Sequence, residues 1–398
     1  MPVARTRRTV PTPTRRRVWV IALVLALAVA GCGHAAPKPA AVAAAPLVSP
    51  GTAAPLSPPS TPASPSATSA PPSARPTVTH LPAPGNPNGH ASVPAQARAV
   101  DTSKPDHVIG HGTPAGCTSA AVVSAVAAGG IITFDCGPAP VTIAMSATAK
   151  VRNASRRVVL DGGGRVTLSG GGKRRILYLN ACDPAQGWTT SHCVDQATPR
   201  LTVQNLVMAD GNSTGSTIDG GGGGAIFDRG GQLVVINSRF TGNRCDRTGP
   251  DLGGAAIRAL SQYHGLPVYI VKSTFTGGVC SNGGALSSIA VSWTVLNSVL
   301  ANNSAIGRGA NPARSGTPGG GSGGAIYNDG DTFTLTVDGS VIENNKAAEG
   351  GGAVFFVSND KTGTLSIAHS TMRHNPSAGF ETDGLPGIFF LGRSAKVN

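Results

Sequence analysis

The residues that could do chemistry in this 398-residue chain are few, and their spacing is the first test of them. Asp210, Asp219 and Asp228 form its best acidic group. Glycoside hydrolysis needs paired carboxylates across the scissile bond, one of them kept protonated. Asp228 and Arg258 each follow a glycine pair at the same offset, so the two read as neighbours, either a catalytic acid with an electrostatic partner or a cross-strand salt bridge. A serine recurs at Ser238, Ser273, Ser298, Ser340 and Ser370 with no base in register, which points to a structural row. The cysteines contain no CxxC pair, and no glycine run is followed by the Lys-Ser/Thr of a phosphate-binding loop. No metal, cofactor or nucleic acid is expected.

What must position these groups is a repeat. The segments LVVINSRFTGN (233–243), VYIVKSTFTGG (268–278), WTVLNSVLANN (293–303), LTVDGSVIENN (335–345) and LSIAHSTMRHN (365–375) align without gaps. Each follows a Gly-Gly-Ala motif, at residues 223, 253, 283, 323 and 351, so successive units start 30, 30, 40 and 28 residues apart. Period-2 apolar alternation in units of this length, without a helical stripe, predicts an all-β solenoid with three short strands per coil. Glycine pairs permit tight turns. The closing asparagines predict a ladder bonding one coil to the next. Cys245 and Cys280 each lie five residues past an equivalent phenylalanine, Phe240 and Phe275. In stacked coils their Cα atoms would be about 4.8 Å apart, within disulfide range.

GGA(I/L/V) followed by FxxN resembles the repeats of chlamydial polymorphic outer membrane proteins, found in exported right-handed parallel β-helix proteins of the pectate-lyase-like superfamily. CTSAAVVSAVAAGGIITFDCG, Cys117 to Gly137, is similar to the entry of such domains, where an Ala-rich helix caps the open end. The resemblance implies a Cys117–Cys136 staple around that cap, and proximity pairs Cys182 with Cys193. It also implies a fold shared by lyases, which need clustered carboxylates for calcium and an Arg or Lys base. The aligned coils offer no such cluster.

Residues 1–31 carry six arginines and no acid ahead of the apolar run VWVIALVLALAVA, the pattern of an export signal. Val29-Ala30-Gly31-Cys32 resembles a bacterial lipobox, which would make Cys32 the lipidated residue; plain secretion and an uncleaved anchor remain the alternatives. Residues 32–106 read as a disordered Pro/Ala/Ser-rich tether, with 17 prolines in residues 33–106 against 11 in the 292 that follow. Residues 107–398 form the β-helix domain.

Two features point to a partner. Residues 150–175 hold eight basic groups against Asp161 alone, while residues 176–398 are net −1. If Arg156, Arg157, Lys173, Arg174 and Arg175 form an outward stripe, it would attract an anionic polysaccharide or cell-wall polymer. The loop CDPAQGWTTSHC, Cys182 to Cys193, would present Trp188 for stacking on a sugar. The expected function is therefore that of a cell-surface lipoprotein in adhesion or polysaccharide binding, held to the membrane by lipid only; the alternative is a lyase or hydrolase with a diverged site. Cys32→Ala should release the protein from the membrane fraction, and partitioning like wild type would contradict lipidation.

Overall fold

The computed structural model describes residues 81–398; the expected export signal, Cys32 and the expected tether up to residue 80 lie outside the described residues. From residue 107 onward the chain winds as a parallel β-helix. Every strand pairing within its three sheets is parallel, and the order within each sheet follows successive coils. A helix, Ser119–Ala128, closes the first end, as the sequence predicts. Thr118 caps it by accepting from the Ala121 N–H at 3.2 Å, and Gly129 (φ 82°) ends it. Its Val122 and Val126 are buried in the solenoid core.

Each later coil follows one recipe. A strand of the eight-stranded sheet, such as Ile226–Arg229, turns into the broad sheet at Gln232–Ile236, bends, and continues as Arg239–Thr241. The eleven-residue repeat segment is thus two strands with a bend between them. The bend lies at Asn237, Lys272, Asn297, Gly339 and His369, all at positive φ. The serine that follows makes the bend repeatable. Ser273 Oγ donates to Val271 O (2.8 Å) and accepts from the Ser238 N–H of the previous coil (3.2 Å). Ser298 and Ser340 repeat this, so the serine row is structural.

The asparagine ladder also forms. Asn303 Nδ2 donates to Asn345 Oδ1 (2.9 Å), and Asn345 Nδ2 donates to Asn375 Oδ1 (2.9 Å). Each amide also caps a backbone carbonyl, Phe275 O from Asn303 and Leu300 O from Asn345. The unit without asparagine has Gly278, where an added Cβ would lie 1.9 Å from Gly284 O. Between the polar rows the core is apolar. Ile226, Ile257, Leu286, Ile326, Val354 and Ile388 stack in register, and the Phe240 and Phe275 rings lie 4.6 Å apart. All three expected disulfides are present, and the Cys245–Cys280 Cα separation is 4.8 Å.

Two expectations are corrected. The repeat at 253 is displaced by one: Gly254-Ala255-Ala256 stands where other coils have Gly-Gly-Ala, since Gly223 N–H donates to Gly254 O and Ala225 N–H to Ala256 O. Ala255 is accommodated because it packs beside the Cys245–Cys280 bridge and Leu252. The tether also ends sooner than residue 106. Residues 81–106 run up the outer wall of the broad sheet and return down it. Asn86 N–H donates to Asn297 O (2.8 Å), Ala91 and Asn297 exchange two bonds, Gln96 reaches the Tyr269 hydroxyl, and Val100 exchanges two bonds with Gln204. Ala97 seals an apolar patch of Ile236, Tyr269, Val271 and Leu296. A proline-rich stretch can lie flat here because side-chain amides of the coils supply the partners its backbone would otherwise lack.

Asn303→Ala would strip both ladder contacts from buried groups. The expected loss of stability in chemical denaturation is about 1–3 kcal/mol, with binding unchanged in the folded protein.

Candidate functional site

The face with the richest polar chemistry is the outer side of the eight-stranded sheet, opposite the core. Alternation along its strands directs Ile226 and Asp228 inward and Phe227 outward. The outward row runs Tyr178, Phe227, Arg258, Ser287, Tyr327 and Phe355, one residue per coil. The one-residue displacement at Ala255 decides this. Arg258 pairs with Phe227 and Ala259 with Asp228, so Arg258 and Asp228 lie on opposite faces of the sheet and form no salt bridge. A shift of one residue in a strand exchanges its faces.

Loops cover this row and seal it. Arg175, expected on an outward stripe, is 7% exposed. Its guanidinium lies 5.0 Å from the Phe227 ring centre and 5.8 Å from that of Tyr178. Nε donates to Gly223 O (2.9 Å), and Nη2 donates to Gly222 O (2.7 Å) and Ser216 Oγ (3.2 Å). Arg175 thus holds the glycine-rich loop down onto the aromatic row. Arg258 is also buried, and among the described residues its sole side-chain partner is Ser287 Oγ at 3.0 Å; nothing accepts from its Nε. Burial pushes both arginines down to about 10. The carboxylates of Asp219 and Asp251 favour the Arg258 cation without touching it.

The polar groups around the two ends of the row are mutually engaged. Asp219 pairs with Arg229 and accepts from Asn180 Nδ2 (3.1 Å). At the other end Asn311 Nδ2 bridges Asp251 Oδ1 (2.8 Å) and the Tyr327 hydroxyl (2.7 Å), and that hydroxyl donates to Asp329 Oδ2 (3.0 Å). Burial raises Tyr178 to about 12 and lifts Tyr327 and Asp329 above their usual values.

The three candidate aspartates do not come together. Asp210 is exposed at a positive-φ corner, Asp219 lies in the covering loop, and Asp228 faces the core, fully buried. Asp228 accepts from Gln262 Nε2, while its Oδ1 has no partner. Desolvation raises its pKa well above the ordinary carboxylate value. Among the described residues no group of three or more His, Cys, Asp or Glu is placed to hold a metal ion.

The basic stretch does not make one stripe either. Arg156 and Arg157 lie at the start of the 13-residue strand Arg157–Ser169, which bends at Gly163 and Gly164, and Lys173 and Arg174 lie beyond its far end. Arg157 faces Asp106 at 3.7 Å, and Arg174 is tied to Ser146 O. Trp188 is where the sequence places it, 43% exposed on the loop closed by Cys182–Cys193. The buried Asn153 holds that loop, its Nδ2 donating to Trp188 O (2.6 Å), Asp183 O (3.1 Å) and Ala181 O (3.2 Å). Sequence reasoning missed the network of Tyr327, Asn311, Asp251 and Asp329. The aromatic residue two past the alanine in three of the five Gly-Gly-Ala motifs, Phe227, Tyr327 and Phe355, was its signal.

No protein-family model matches the chain, and no curated protein or solved structure matches it.

The raised pKa of Asp228 has a stability consequence. An acid whose folded pKa exceeds its unfolded one favours the fold fully below the unfolded pKa, near 4, and loses that contribution as pH rises. Each unit of difference costs about 1.4 kcal/mol above both values. Asp228→Asn should therefore melt higher than wild type at pH 7, with the gap closing toward pH 4. A variant less stable at pH 7 would contradict a protonated, buried Asp228.

Proposed function

We propose that this chain is an exported, lipid-anchored surface protein whose β-helix binds wall or environmental polysaccharide without turning it over. The observation that carries the reading is Trp188. A large aromatic ring, apolar on its faces and polar at its Nε1, stays substantially in water on a loop held by a disulfide and by a buried asparagine. A rigid, preorganised aromatic surface binds with little ordering cost, and a sugar ring presents the flat C–H face that suits it. The dispersal of Asp210, Asp219 and Asp228 supports binding over hydrolysis. The resemblance of the repeats to those of exported surface proteins supports the location, with the strap of residues 81–106 fixing how the domain leaves its tether.

A glycan and wall-polymer array tests this. The full chain should bind a subset saturably, release no reducing or unsaturated ends, and lose at least tenfold in affinity with Trp188→Ala. Turnover of any polymer on the array would replace the binding reading with the enzymatic one.

A further inference from the structure

The narrow third sheet, Val279–Cys280, Ser304–Ala305 and Lys346–Ala347, carries a feature that neither the Trp188 loop nor the aromatic row uses. Against it lies an open crevice of about 540 Å³ lined by Arg247, Thr248, Ala305, Ile306, Arg308, Lys346, Ala347 and Ala348. Three of these are cations and none is an acid. The cations come from three separate segments: Arg247 from the turn after Cys245, Arg308 from the loop after Ser304–Ala305, and Lys346 from the last strand of the sheet. The floor is made of small side chains. Ala305 and Ala347 stand in register with Cys280, whose bridge to Cys245 fixes the start of the Arg247 turn.

Among the described residues, Arg247, Arg308 and Lys346 form no salt bridge, although Arg308 acts on Glu349 through space. The ion pairs of the described residues involve other groups. Of the two nearby carboxylates, Glu349 is engaged by Arg314, and Asp246 binds Gly215 through Oδ1 while its buried Oδ2 has no partner. Glu349 is gripped by both terminal nitrogens of Arg314, at 2.9 and 2.8 Å, and accepts from Gly309 N–H. The Arg314 and Gly309 contacts, with a smaller through-space contribution from Arg308, hold its pKa below the ordinary value, and its hydrogen bonds go to Arg314 and Gly309. Asp246 accepts from the Gly215 N–H at 2.9 Å, on the side of the glycine-rich loop. Three like charges line one cleft, then, with no direct ion-pair partner among the described residues. Three exposed cations on one cleft create a positive potential that draws an anion in.

We propose that the Arg247–Arg308–Lys346 crevice is an anion site that takes the phosphate or carboxylate groups of an acidic surface polymer. This rests on the polysaccharide-binding reading and places the acidic part of the ligand on the third sheet, away from the Trp188 loop. Two arginine forks and one ammonium suit oxyanions, the guanidinium matching two oxygens at once and the lysine acting as a point charge. The apolar floor would lie beneath the backbone of the polymer.

The test uses the full chain in mild detergent with three probes: poly(glycerol phosphate), polygalacturonate and neutral dextran. Wild type should bind at least one acidic polymer, and the affinity should fall at least tenfold between 0.1 and 1 M salt, as the Debye length shrinks from about 10 to about 3 Å. The tighter of the two acidic probes identifies the anion. Replacing Arg247, Arg308 and Lys346 with Ser should cost at least tenfold at 0.1 M salt. Replacing Arg156, Lys173 and Arg200, three exposed cations elsewhere, should cost less than threefold. Lys346→Glu alone, with an unchanged melting temperature, should reproduce much of the loss. Equal loss in the two triple variants would overturn the site in favour of diffuse charge, and no loss in the first would overturn it outright. Should dextran or another glycan bind through Trp188 while neither acidic polymer binds, the crevice proposal fails and the polysaccharide reading stands. Failure to bind any glycan would remove that reading itself.

Discussion

Everything in this molecule depends on one constraint: each coil must present to the next a hydrogen-bonding edge that is complete at the interstrand distance. A parallel β-helix has no second layer to hide an error, because its interior is only as wide as two facing side chains. Polar side chains enter that interior most readily where they repeat; Asp228, which does not repeat, depends on Gln262 of the next coil. Asn303, Asn345 and Asn375 do so, each amide completing the coil before it. Ser238, Ser273, Ser298 and Ser340 do the same at the bend of the broad sheet. Where a row breaks, the chain compensates locally, as Gly278 does by removing its side chain and Ala255 by facing the disulfide.

The same constraint explains where variable chemistry is found. Coil interiors leave less freedom than the surface, so most differences between repeats fall in the turns and on the outer faces, with the inward row Asp228, Ala259, Ser288, Asn328 and Phe356 an exception. One outer face is sealed by the strap, a second by loops pinned through Arg175, and the narrow third sheet is left open with its cations. Arg258 shows the cost of the second arrangement. Its guanidinium is buried with few partners, stabilised through space by Asp219 and Asp251. A buried charge of that kind destabilises unless its surroundings hold it, and the flanking carboxylates supply that field.

The coil was legible because its signals are periodic. Bulk alternation, the Asn and Ser rows and the position of Cys245 relative to Cys280 all repeat at the coil length. What was not legible depends on single residues. The extra alanine of Gly253-Gly254-Ala255-Ala256 reads in sequence as a normal motif, yet it moves Arg258 to the face opposite Asp228 and dissolves an apparent acid–base pair. Arg175 looked outward because desolvation disfavours burying a cation. Backbone carbonyls of Gly222 and Gly223 and the Phe227 ring, distant in sequence, replace its water together with the neighbouring Tyr178 ring. The strap was hidden by composition. Proline-rich sequence usually stays unfolded, and here the order comes from Asn297, Tyr269 and Gln204, side chains 104 to 206 residues away.

The central claim is that the coils are scaffold and the exposed turns carry recognition. Amide hydrogen exchange of the full chain with and without a bound polysaccharide tests it most directly. New protection is predicted at residues 182–193, at 246–252 and at 306–310, with the Asn-ladder strands unchanged because they are already fully bonded. Protection appearing instead along the strap of residues 81–106, with those three segments unaffected, would contradict the account.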